Sequence, residues 1–151
     1  MKKFVFTLET LAKHKATVEK KQKAALSQAL ARLNALYAEQ EHIYQAMREN
    51  AASQQQALEQ PGELAEELKR HDNYQTYLRT WLEEVRRQIA QAEAEKKRIQ
   101  ALLTVTLKEI KTLKRLEEEQ YQAYLAEARK EEDMEIGDMI AHSIKAVNSE
   151  Q

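Results

Sequence analysis

The sequence predicts an all-α fold: a long antiparallel two-helix coiled-coil hairpin with a C-terminal helical overhang, forming a single domain over residues 1–151. Three observations carry this expectation. First, from Leu64 to Leu113 apolar residues recur at alternating spacings of four and three, with Leu68, Gln75, Leu82, Ile89, Lys96, Leu103 and Ile110 at a positions. The d positions are Leu64, His71, Leu78, Val85, Ala92, Ile99, Thr106 and Leu113. A 3.5-residue repeat held in register for about seven heptads marks a helix that supercoils against a partner helix. Second, the seam is narrow and its neighbours are polar or charged, so the helix has one stripe to bury rather than a broad face. Third, the chain is 32% charged and holds two Gly, one Pro and two Phe. That composition lacks the turn residues a sheet or multi-helix domain needs.

The elements follow in order. Residues 1–6 read as a short apolar lead-in, and Thr7 with Glu9 supplies a hydroxyl cap and an early negative charge for a first helix over about 7–58. Leu8, Leu11, Val18, Leu26, Ala29, Leu33, Leu36, Ile43 and Met47 give that helix an apolar side, with a slip of one residue between Val18 and Leu26. The pattern weakens over Asn50 to Gln56 and stops at a tip, residues 60–62, where Pro61-Gly62 is the one strong break in the interior. A second helix runs over about 63–135. Folded back about the tip, residues face each other when their numbers sum to about 122, which pairs Ile43 with Leu78 or Arg79 and Leu36 with Val85 or Arg86. Arms of about 50 residues give a rod of roughly 75 Å. The periodic stripe ends where the first helix runs out, which favours a hairpin over a parallel dimer. Residues 117–151 are then an overhang, and its last part, a tail over 136–151 beyond an acidic run, carries Met139-Ile140, Ile144 and Val147 after Gly137. A solitary helix buries nothing, so such a tail frays or is completed by another protein.

No catalytic constellation is found. There is no Gly-rich phosphate loop and no Cys, and His14, His42, His71 and His142 do not converge. Paired carboxylates such as Glu66-Glu67 and Glu83-Glu84 read as solvated helix faces, and His71 as a tolerated residue near a frayed end. The expectation is a non-enzyme with no metal and no cofactor. No apolar run approaches the roughly 20 residues that span a bilayer, and the basic start lacks a signal-peptide core, so a cytoplasmic protein is expected.

Two surfaces stand out. Lys13, Lys15, Lys20 and Lys21 face, by the pairing rule, a segment holding Lys108 and Lys111, with few acids between; the basic end is either a solvated patch or an electrostatic guide into an acidic opening. Nucleic acid is the poorer partner, since Arg is scarce there and no aromatic platform interleaves with the lysines. Tyr37 and Tyr44 on the first helix lie near the level of Tyr74, Tyr77 and Trp81 on the second. The seam is already filled there, so part of this aromatic patch stays exposed as a partner site or drapes over the seam as stiffening.

The opening Phe4-Val5-Phe6-Thr7-Leu8-Glu9-Thr10-Leu11, the stretch Asn73-Tyr74-Gln75-Thr76-Tyr77-Leu78 and the late Asp138-Met139-Ile140-Ala141 resemble the FliJ family of the flagellar type III export apparatus. The resemblance implies an antiparallel coiled coil similar to the central stalk of rotary ATPases. It also implies that the end near the termini enters the export ATPase hexamer, and that the protein contacts an export-gate membrane protein and export chaperones. Carried over by spacing, the gate-contacting face becomes Tyr77, Trp81, Glu84 and Gln88, and Glu84 and Gln88 depart from the small and imidazole side chains of the family. A monomer at the membrane through its partners only is expected. The injectisome stalk is a close relative of this reading, and a self-pairing cytoplasmic coiled-coil scaffold or holdase is the alternative from another class.

Overall fold

The computed structural model describes residues 2–60, 62 and 64–150. Two helices pack against each other, α1 over Glu9–Glu59 and α2 over Leu64–Ser149. The expected all-α hairpin is the fold. Pro61, the expected centre of the tip, lies outside the described residues, and beside it the Leu64 N–H donates to the Gly62 carbonyl at 2.8 Å. No described glycine takes a positive φ, so the turn draws on no left-handed glycine among these residues.

The predicted seam of α2 is the core. Leu78, Leu82, Val85, Ile89, Ala92, Ile99, Leu103, Thr106 and Leu113 are all buried. Lys96 is half-buried with its ammonium turned out to Glu93 at 3.0 Å, the snorkelling that an aliphatic stem permits. On α1 the slip expected between Val18 and Leu26 is absent. Ala12, Lys15, Glu19, Gln22, Leu26, Ala29, Leu33, Leu36, Gln40, Ile43, Met47, Asn50, Gln54 and Ala57 step by three and four without interruption, and each is buried or half-buried. The seam stays in register through polar residues, which an apolar-only reading passes over.

The chain forms two compact units, one of Lys21–Leu103 and a terminal one of Met1–Lys20 with Thr104–Gln151. In the first, Leu33, Leu36 and Ile43 of α1 meet Leu78, Leu82, Val85, Ile89 and Ala92 of α2, and Ile43 and Leu78 have no solvent exposure at all. Each buried Leu, Ile or Val contributes about 1.5–3 kcal/mol by leaving water. Toward the tip the seam turns polar. Asn50 is buried; its Nδ2 donates to the His71 carbonyl at 3.0 Å and to Gln75 Oε1 at 2.9 Å, and its Oδ1 lies 2.8 Å from His71 Nδ1. His71 is therefore a bonded seam residue, not a loose one at a frayed end.

In the terminal unit residues 2–8 are not helical, yet they lie against α2. Phe4 packs edge-on to Tyr121 at 5.2 Å between ring centres and at 5.5 Å from Tyr124, Phe6 is buried, and Tyr124 Oη donates to the Lys2 carbonyl at 2.6 Å. Thr7 exchanges side-chain hydrogen bonds with Gln120 instead of capping α1. The expected overhang thus begins later than residue 117, because the lead-in extends the cover along α2 as far as Tyr124. Beyond Ala128 every described residue is exposed, and α2 continues through Gly137 to Ser149 with no break at 135. A Cβ on Gly137 would meet nothing within 4 Å.

Candidate functional site

The heptad assigns the aromatic side chains to flanks. Tyr74, Trp81 and Gln88 occupy g positions of α2, and Tyr77 and Glu84 occupy c positions, so all five share one side of the helix. Tyr74 stacks on Tyr77, and Tyr77 tilts against Trp81, both at 6.2 Å between ring centres. Trp81 also meets the His42 ring of α1 at 6.2 Å and donates Nε1–H to Glu39 Oε1 at 2.8 Å. The ladder grades from bound to free: Trp81 is half-buried against the core, Tyr74 is exposed, and Tyr77 is 60% exposed. Tyr77 spends its area on solvent, whereas Trp81 serves both the seam and the surface.

Tyr44 does not join this patch. Its hydroxyl accepts from Arg86 at 2.7 Å, the Arg86 guanidinium lies 5.9 Å from its ring centre, and Tyr37 Oη donates to Glu93 at 2.9 Å. Arg86 and Glu93 are e positions, and antiparallel helices pair e with e and g with g. Tyr37 and Tyr44 therefore lie on the flank opposite Trp81. The single patch read from their common level is two separate flanks, because level along a helix does not set azimuth.

Glu84 and Gln88 form a surface network. The Glu84 carboxylate accepts from Arg87 and from Gln88 Nε2 at 3.1 Å, and these hydrogen bonds, the arginine's first, hold its pKa down to about 2. Glu93 is held below the usual carboxylate range by its bond from Lys96 and then by that from Tyr37, and the same Glu93 bond raises the Tyr37 pKa. Both carboxylates stay ionised through the physiological range, Glu84 beside Gln88 on the flank of Trp81 and Glu93 on the opposite flank with Tyr37.

The basic residues are not equivalent either. Lys15 fills a seam position, three-quarters buried, and pairs with Glu109 across the helices. It is a structural residue and not a free surface cation. Lys13 is exposed and lies 3.5 Å from Glu9, while Lys20, Lys21, Lys108 and Lys111 are exposed. In the terminal unit an open groove lined by Leu11, Val105, Thr112 and Leu113 runs beside Lys15, Lys108 and Glu109. Among the described residues no group of three or more His, Cys, Asp or Glu side chains is placed to hold a metal ion, and no helix is long and apolar enough to cross a membrane.

Asn50 is the residue sequence reasoning missed. Its signal was present, since an Asn seven residues after Ile43 continues the d register of α1. Fold and surfaces together define the class, an antiparallel coiled-coil hairpin with an exposed aromatic ladder on one flank. Compared with protein-family models, curated proteins and solved structures, the chain matches none.

Proposed function

We propose that this chain is a non-enzymatic stalk of a type III protein export apparatus, a FliJ-like protein that docks into the export ATPase hexamer and links it to the export gate and to export chaperones. The observation that supports the reading is the Tyr74–Tyr77–Trp81 ladder, in which Trp81 anchors on the core while the Tyr74 and Tyr77 rings stay exposed. Exposed Tyr and Trp rings bind partners with large area and low entropy cost. The exposed Lys20, Lys21, Lys108 and Lys111 suit an acidic opening such as the mouth of a ring. A stalk of this kind is cytoplasmic and meets the membrane only through its partners. An injectisome stalk has the same physical requirements. A self-pairing scaffold or holdase draws support from one other observation, the exposed Ile136, Ile140, Ile144 and Val147 of the tail.

The test is the turnover of the purified export ATPase with and without this protein. Stimulation is expected, and replacing Lys20, Lys21, Lys108 and Lys111 by Glu is expected to weaken the apparent affinity by about tenfold or more at low salt with helicity unchanged. Lys15 is left in place, since reversing it would set two carboxylates together in the seam. Absence of stimulation by the unaltered protein would overturn the stalk reading.

A further inference from the structure

The flank of α2 that carries the aromatic ladder meets a second feature two heptads on. Tyr77 and Gln91 are both c positions, and Trp81 and Glu95 are both g positions, so the same side of the helix returns about 21 Å from the ladder. There Ala29 of α1 and Ala92 of α2, both d positions of the seam, floor an open pocket rimmed by Arg32, Gln91 and Glu95. Seam residues on either side are larger, Leu33 and Ile89 toward the tip and Leu26 and Ile99 away from it. Helices held roughly 8–10 Å apart by such residues cannot close over two methyl groups, so the alanines leave a hole of the kind that takes a knob from a further helix. The rim is charged in one sense only. The Glu95 carboxylate already accepts from Arg98 at 3.0 and 2.6 Å, whereas Arg32 is exposed and has no ion pair among the described residues. Between hole and ladder, Glu84 is bonded by Arg87 and Gln88. The charge left unanswered at the hole is therefore positive, which suits a carboxylate on whatever enters it.

We infer that this flank docks an amphipathic helix of a partner, with one apolar side chain in the Ala29–Ala92 hole, a carboxylate beside it on Arg32, and the rest of its apolar face on Tyr77 and Trp81. A helix returns to one face every heptad, so a single stripe reaches both hole and ladder. The inference rests on the ladder being a partner surface, and not on that partner's being the export gate.

Trp81 is the one tryptophan of the chain, so its fluorescence reports the ladder end of the site. The probe is a Trp-free helical peptide of about 21 residues with Leu at its a and d positions and Glu beside them, set against the same peptide with Lys in place of Glu. The Glu peptide is expected to shift the Trp81 emission saturably at low salt, and the Lys peptide to bind about fivefold more weakly or worse. Ala29→Leu and Ala29→Met fill the hole from its floor, and each should lower the affinity by about tenfold with helicity and melting retained. Arg32→Glu should reverse the order of the two peptides. No saturable shift in the parent chain would overturn the inference, as would unchanged affinity in both Ala29 variants or an unchanged order of peptides with Arg32→Glu. Unchanged affinity with Tyr77→Ala would detach the hole from the ladder and overturn the joined site, whereas the export reading stands or falls separately on ATPase stimulation. A solution mass that rises with concentration and falls back with Ala29→Leu would give the flank to a second copy and overturn the partner helix.

Discussion

At the scale of single residues, the hairpin depends on polar groups placed where apolar ones would suffice for burial. Asn50 satisfies both His71 and Gln75 across the seam, so its loss leaves a ring nitrogen and an amide without their partner. Asn50→Ala is expected to lower stability by about 1–3 kcal/mol in denaturant unfolding. Gln54→Ala, which loses a 3.5 Å bond to Asp72 and the packing of a half-buried seam side chain but strands no buried partner, should cost less, about 0.5–1 kcal/mol. A buried Asn at one seam position also fixes register, and here it admits only the pairing that brings His71 opposite. The Tyr37–Glu93 bond gives a second expectation at this scale. A depressed carboxylate adds stability above its unfolded pKa and loses it as pH falls through the folded value; a raised tyrosine adds stability below its unfolded pKa and loses it as pH rises. The cross-helix bond is therefore at full strength between the two ranges and weakens at both extremes. In a carboxyl-carbon NMR titration, Tyr37→Phe should move the Glu93 midpoint up but not to its ordinary value, because the Lys96 bond remains. Glu84 should titrate near pH 2 in both proteins.

At the scale of elements, what was legible in the sequence followed from the strength of each period. The α2 seam from Leu78 to Leu113 was readable because its apolar residues repeat with few interruptions. The α1 seam was blurred because Lys15, Glu19 and Gln22 occupy it, and a hydropathy pattern cannot separate a seam lysine that finds Glu109 from one that points to water. The cover over Tyr121 and Tyr124 was not legible at all, since an extended segment leaves no period to read. Of the aromatic ladder, the level and the α2 face were legible, and the separation of Tyr44 from Trp81 was not, because it depends on which flanks an antiparallel pair brings together. The unequal burial of the ladder's rings yields a prediction. Tyr77→Ala is expected to cost less than about 0.5 kcal/mol in thermal unfolding, as befits an exposed site. Trp81→Ala removes packing against the core and strands Glu39, and should cost about 2 kcal/mol. If the ladder is a docking surface, Tyr77→Ala will abolish partner binding in a pull-down of the export gate while leaving this stability intact.

At the scale of the whole molecule, burial is unevenly shared. It is deepest from Leu33 to Ile43 and from Leu78 to Ala92, is thinner where residues 2–8 supply the cover, and vanishes beyond Ala128. Native-state hydrogen exchange should follow the same order, because opening free energy tracks buried apolar contact. The tail is where the two functional readings part. A stalk that waits for its partners leaves Ile136, Ile140, Ile144 and Val147 free, so its solution mass should be that of one 17.6 kDa chain and the tail should exchange quickly at any protein concentration. A self-pairing scaffold would bury that stripe against a second copy. Four apolar side chains from each partner fall short of the roughly 800 Å² per side of a standard stable interface, so such pairing would be weak and strongly concentration-dependent. Light scattering and hydrogen exchange over a hundredfold or so of concentration therefore decide between them. Constant mass with a fast tail is the expected outcome, and tail protection that grows with concentration as the mass doubles would transfer the assignment to the scaffold.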